Sequence, residues 1–136
     1  MATHNRWLLG VLLLFCGIAY GRKFPLTAAS SVPAARGDVD VDHDSNGNTK
    51  LKMKVEYLPP PEALTPPSTA YIVWIQERSG NGMAQPQGQL KVDKNRKGNF
   101  ESVTPAKNFD FFVTAEQDPT VKAPTGMEIL KATIQP

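Results

Sequence analysis

The chain has 136 residues, with 15 Lys or Arg against 13 Asp or Glu, 12 prolines, one cysteine and two histidines. That length bounds it to one domain, and its charges are interspersed rather than gathered in blocks, which excludes an electrostatic footprint for nucleic acid. Once an N-terminal segment is set aside, about a hundred residues remain, enough for a small sandwich or barrel and too few for a typical cofactor-binding α/β enzyme.

That segment opens with Arg6 and continues as a charge-free apolar run over residues 7–19, from Trp7 to Ala19, which is the layout of a signal peptide. At ~1.5 Å per residue the run spans about 20 Å, short of the ~30 Å hydrocarbon core, and Arg22 and Lys23 prevent its extension. No stable membrane span is therefore expected after processing. Ala19 and Gly21 frame cleavage before Arg22, and Gly17 with Ala19 frame an alternative before Tyr20, so the leader is assigned to residues 1–21. Cys16 follows Phe15, where a lipoprotein signal has a small residue, so it reads as an apolar leader residue. The mature chain would then hold no cysteine, excluding both disulfides and thiol catalysis. Residues 22–36, small and polar over 27–36, are expected to form a flexible spacer, with a single domain over 37–136.

Within that domain, residues 38–44 place Val39 and Val41 on one face and aspartates on the other. Residues 50–57 likewise alternate, with Leu51, Met53, Val55 and Tyr57 on one face. The Asn46-Gly47 pair between them predicts a β-hairpin with one wet face. Prolines 59, 60, 61, 66 and 67 then make a stiff connection that carries the chain to another edge or sheet. Residues 70–76 hold five consecutive large apolar or aromatic residues and predict a central strand buried on both sides. Tyr71 and Trp74 have opposite parity, so they face apart, with Trp74 expected at the centre between two sheets. Two short alternating runs, 88–92 and 98–103, flank the polar reversal 93–97 and predict a second hairpin. Residues 109–116 place Phe109, Phe111 and Val113 on one face and Phe112 on the other, and a Pro124-Thr-Gly126 turn leads into a last strand over 127–134. No window shows a helical period with a cap, so the fold is expected to be all-β. A seven-stranded immunoglobulin-like Greek-key sandwich is the first choice and an OB-like small barrel the alternative. Tyr71, Trp74, Phe109, Phe111 and Val113 are the expected structural core.

Several pieces of this sequence recur together in a known family. The order Leu58-Pro-Pro, Tyr71 and Trp74 three apart, Gly88-Gln-Leu, Asp93 with Gly98, Val113-Thr-Ala-Glu116 and Pro124-Thr-Gly-Met-Glu-Ile-Leu130 resembles the C-terminal extracytoplasmic, immunoglobulin-like domain of anti-sigma-K factors. The resemblance covers residues 55–133 and implies an exported β-sandwich. The family's cytoplasmic sigma-binding domain and membrane helix have no counterpart, since a leader stands in their place, so sigma binding does not carry over.

Residue chemistry narrows the function further. Asp42, Asp44, Asn46 and Gly47 match the first half of a calcium loop, but its twelfth position is Met53 rather than a bidentate Glu, and the same residues read as an acidic hairpin. Asp42, Asp44 and Asn46 are the weak calcium candidates, with Asp40 as an additional oxygen ligand in another geometry. His43 is the mature chain's one histidine and lies beside aspartates with no nucleophile elbow, and zinc lacks the three or four ligands it needs. Glu77, Asp110 and Glu116 are the carboxylates from which a glycosidase pair would be drawn, and they read first as surface charges at strand ends. Residues 91–97 carry four basic side chains around Asp93 and read as a charged hairpin tip, or else as a patch for anionic envelope components. The sequence thus predicts a non-catalytic module without cofactor in the periplasm or outside the cell, binding or sensing an unidentified protein or envelope ligand and no nucleic acid. The alternative is a structural accessory subunit of an envelope complex.

Overall fold

The computed structural model describes residues 21–135. The leader assigned to residues 1–21, including Trp7 and Cys16, therefore lies outside the described residues apart from Gly21. The described chain is all-β, with strands β1 (Arg22–Pro25), β2 (Thr27–Ala28), β3 (Arg36–His43), β4 (Thr49–Glu56), β5 (Ala70–Glu77), β6 (Ala84–Leu90), β7 (Gly98–Thr104), β8 (Phe109–Glu116) and β9 (Met127–Ile134). A single 3₁₀ turn, Pro61–Ala63, interrupts the β4–β5 connection, which also contains a cis Thr65-Pro66 bond.

The strands form two antiparallel sheets that pack as a sandwich. Sheet A has the order β1-β3-β4-β7 and sheet B the order β2-β9-β8-β5-β6. Alternation in β3 and β4 turns Val39, Val41, Leu51, Met53 and Val55 inward, where they meet Tyr71, Val73, Ile75, Phe109, Phe111 and Val113 of sheet B in one buried cluster. Leu58 and Leu64 of the proline connection also belong to that cluster. The outer face of sheet A carries an alternating charge row instead. Lys23 is opposite Asp40, Asp40 opposite Lys52, and Lys52 opposite Glu101, in register across all four strands.

Residues 22–36 are not a flexible spacer. β1 pairs with β3 and β2 with β9, so one short segment edges both sheets. Val32 is 2% exposed and joins Leu26 and Ala35 in the main cluster. These apolar residues follow no strand period, and their burial comes from the sheets they close. The predicted strand at 88–92 is also displaced, since β6 begins at Ala84 and includes Pro86. A proline is tolerated there because β6 is the edge of sheet B, where one side of the strand makes no ladder bonds.

Two turns share one design. In the β3–β4 turn the Asp44 amide donates to the Asn48 carbonyl and the Gly47 amide to the Asp44 carbonyl, while the Asp44 carboxylate accepts the Asn46 and Asn48 amides. In the β6–β7 connection Asp93, Asn95, Arg96 and Lys97 repeat each of these bonds. This is a three-residue loop whose last residue is left-handed. Gly47 holds that position at φ 79°, and Arg96 holds it at φ 61°.

Candidate functional site

The calcium candidates have structural occupations. Asp42 accepts the His43 amide at 2.8 Å and stands opposite Lys50 in the β3–β4 register. Asp44 spends its carboxylate on the turn. The Asn48 amide bond, with help from the Asn48 side chain and the Asn46 amide, outweighs desolvation and holds its pKa below the ordinary 3.8. Asn46 contributes its backbone amide to that turn and is itself exposed. Among the described residues no three His, Cys, Asp or Glu side chains come together as a metal-holding group.

The carboxylate candidates are spread along sheet B. Asp110 and Glu116 share the outer face of β8 six residues apart, about 20 Å at ~3.3 Å per residue. That exceeds the ~5–9.5 Å separation glycoside hydrolysis requires. Asp110 lies between Arg78 at 3.4 Å and Lys131 at 3.9 Å and accepts the Thr133 hydroxyl. Glu77, at the end of β5, is exposed and has the opposite parity to Asp110's partner Gln76.

Glu116 is the unexpected member, being 1% exposed rather than a surface charge. It is reached through a chain of hydrogen bonds that begins at Trp74. The indole Nε1 donates to the Thr114 hydroxyl at 2.8 Å, and that hydroxyl donates to Glu116 Oε2 at 2.5 Å. The Thr125 hydroxyl donates to Glu116 Oε1 at 2.6 Å and the Gly126 amide to Oε2 at 3.0 Å. Burial on its own raises this carboxyl's pKa. The bonds from Thr114, Thr125 and Gly126 together outweigh burial and hold the pKa below the ordinary 4.5. Position 126 must be glycine because a Cβ there would run into the Ala115 carbonyl.

This network covers a second apolar cluster. Ala70, Ile72, Trp74 and Phe112 are buried together on the outer face of sheet B, joined by Ala84 and by Val121 of the β8–β9 connection. The Trp74 and Phe112 rings stack with centroids 6.5 Å apart. Trp74, fully buried, thus lies on the face of sheet B opposite the inter-sheet core, correcting the expectation that it sits between the sheets. β5 is buried on both sides as its sequence predicts, but on the second side it meets Val121 of the β8–β9 connection rather than another sheet. Tyr71, Phe109, Phe111 and Val113 do occupy the inter-sheet core. The Tyr71 hydroxyl donates to the Pro59 carbonyl at 2.6 Å. Burial, then the charge of Glu62, pushes the phenol pKa up, so the group remains a donor.

No protein-family model matches the chain, and no curated protein matches it. No helix among the described residues is long and apolar enough to cross a membrane.

Proposed function

We propose that this protein is an exported, non-catalytic binding module of immunoglobulin-like Greek-key topology, akin to the outer domain of anti-sigma-K factors. One observation carries the reading: the separate sequence pieces that mark the resemblance bond to one another in space. Tyr71 binds Pro59 of the proline connection, while Trp74 joins Thr114 and Glu116 of the Thr-Ala-Glu piece to Thr125 and Gly126 of the Pro-Thr-Gly turn. The strand orders β9-β8-β5-β6 and β3-β4-β7 fit the G-F-C-C′ and A-B-E pairings of an immunoglobulin-like sandwich. A non-catalytic role is supported by the occupation of Glu116, whose oxygens accept four donors and hold no position open for substrate.

Export is tested by fractionating the producing cell and sequencing the N-terminus of the recovered protein. A start between Tyr20 and Lys23 in the exported fraction is expected. An intact Met1 in the membrane fraction overturns the reading.

A further inference from the structure

The outer face of sheet A is open along its length, and its charges are sorted by strand. The outward residues of β3 are Arg36, Asp38, Asp40 and Asp42. Opposite them on β4 stand Glu56, Lys54, Lys52 and Lys50, so every couple in these four rows joins unlike charges. β1 adds Lys23 beside Asp40, and β7 adds Glu101 beside Lys52. The rows therefore hold five cations and five anions and favour neither sign as a whole. Among the described residues the one ion pair on this face is Lys23 with Asp40, at 3.9 Å, and the three exposed lysines of β4 take part in none.

The order of the charges makes this face its own complement. Across the four strands the row Lys23, Asp40, Lys52, Glu101 reads plus, minus, plus, minus, so reversing it exchanges every sign. A half-turn about an axis parallel to the strands, over the seam between β3 and β4, performs that reversal. It sets β3 of one copy over β4 of the other, and β1 over β7, with the rows level. Asp40 then meets Lys52 of the second copy, Asp38 meets Lys54, Asp42 meets Lys50, Arg36 meets Glu56, and Lys23 at one edge meets Glu101 at the other. A half-turn about an axis across the strands instead lays aspartate on aspartate and lysine on lysine, so charge selects between the two. Side-chain length agrees with the selection. The lysines of β4 form a ridge and the short aspartates of β3 a trough, with a hollow of about 330 Å³ over Asp40 and Asp42 beside Lys50 and Lys52. The selected half-turn lowers each ridge into the trough of the other copy.

We propose that the outer face of sheet A binds a second copy of this chain through that half-turn, giving a weak, salt-sensitive dimer. Four strands ~4.8 Å apart and about seven residues at ~3.4 Å each make a plane of about 20 by 24 Å. Two such faces bury on the order of 1,000 Å², the lower bound for a specific interface. The right-handed twist of each sheet lifts the corners apart and concentrates contact on the central row. A face that served only solubility would do so with its signs interspersed along each strand. Here three aspartates follow one another on β3 and three lysines on β4, setting like charges about 7 Å apart along each strand. Because the signs balance, a polyanion or a polycation matches the face less well than a copy of the same pattern. The formal charge of +2 opposes association little. The dimer requires neither export nor the likeness to anti-sigma-K factors, so it stands or falls apart from the proposed function.

The test is sedimentation equilibrium of the purified protein at about 0.01 M salt, where the Debye length is ~30 Å, and at about 0.15 M, where it is ~8 Å. Wild type follows a monomer–dimer equilibrium at about 10–100 µM protein, and the dimer fraction falls as salt rises. Lys52→Asp turns two attractions between copies into repulsions and weakens the dimer by about tenfold or more. Lys23→Glu and Glu101→Lys each weaken it too, with melting temperatures within about 5 °C of wild type. An equimolar mixture of these two variants regains the wild-type affinity to within about threefold, because one copy then carries acids at both edges and the other carries bases. Positions 23 and 101 lie three strands, about 14 Å, apart in one chain, so only contact between copies couples them. Lys122→Glu makes the same charge change in the β8–β9 connection and leaves affinity within about twofold. The proposal is overturned if wild type stays monomeric at about 0.1 mM in low salt, if its dimer is indifferent to Lys52→Asp, or if the mixture associates no better than its components.

Discussion

Phe111 and Phe112 are neighbours on one strand, yet they are buried by different means. Phe111 enters the cluster between the two sheets, where both walls are hydrogen-bonded ladders and apolar side chains meet from many strands. Phe112 enters the small cluster on the outer face of sheet B, where Val121 of the β8–β9 connection packs over it and Glu116 fastens the end of that connection. Apolar contact fills the first site, whereas the second needs a buried carboxylate to fasten its cover. The stability of the outer cluster is therefore tied to polar geometry and to pH, and that of the inner core is not.

The sharpest way to break this contrast is to truncate both rings. Phe111→Ala should cost about 3–5 kcal/mol, since a cavity between two sheets collapses little. Phe112→Ala should cost nearer 2 kcal/mol, because a connecting segment can settle into the space. Urea denaturation of the two variants measures the difference, and equal losses would mean that the cover is as rigid as a sheet. Trp74→Ala should fall in the upper range, about 3–5 kcal/mol, because it removes both the ring and the donor to Thr114. The Trp74 indole should emit at short wavelength.

Glu116→Gln comes next, at about 2–3 kcal/mol, because an amide nitrogen would face the donors that the carboxylate now satisfies. Amide hydrogen exchange should accelerate in 117–126 and not in β4. The pH dependence follows from a folded pKa below that of the unfolded chain. The contribution of Glu116 is fully present above the unfolded value of about 4.3–4.5 and is lost as pH falls through the folded value. The melting-temperature gap between wild type and Glu116→Gln should therefore be constant near neutrality and close in acid. A gap that stays unchanged throughout the acid range in which the protein remains folded would show that the bonds at Glu116 do not depend on its charge.

Smaller effects sharpen the picture at the edges. Tyr71→Phe should cost about 1 kcal/mol by removing the bond to Pro59 while leaving the ring in the inner core. The twin turns supply the smallest pair. Arg96→Gly should stabilise by about 0.5–1 kcal/mol, and Gly47→Ala should cost about 1 kcal/mol, because the same left-handed position is occupied well in one turn and poorly in the other. Chemical denaturation of both variants checks the opposite signs.

Much of the fold was legible because side-chain parity is a local property. The alternation of Val39 and Val41, of Leu51, Met53 and Val55, and of Phe109, Phe111 and Val113 marks inward faces without knowledge of the partner, whereas Tyr57, expected to continue the β4 face, is 53% exposed because its left-handed backbone turns the chain out of the strand. The opposition of Tyr71 to Trp74 was legible for the same reason. What covers each face was not legible, since the outer cluster is closed by one valine and a hydrogen-bond network among 114, 116, 125 and 126 that has no period. Leu26, Val32 and Ala35 were missed because isolated apolar residues in a small, polar stretch acquire meaning only once sheet edges need closing. At the candidate sites the same letters serve two chemistries. Asp44 with Asn46 and Gly47 spells the start of a calcium loop and also a tight turn, and the bonds from Asn46 and Asn48 decide for the turn. Glu116 looked like a surface charge because its partners lie nine and ten residues ahead.

The pairing of β2 with β9 has a consequence in time. Thr27 lies opposite Lys131, so a strand made near the beginning waits for one made about a hundred residues later before that edge of sheet B is closed. Contacts of such long range slow folding to milliseconds or seconds. Until β9 arrives, β8 presents an unpaired strand edge and Phe109, Phe111 and Val113 lack part of their cover, a surface on which unfinished chains stick to one another. Loss of β9 should therefore reveal itself first as aggregation during synthesis, before any question of stability in the finished protein arises.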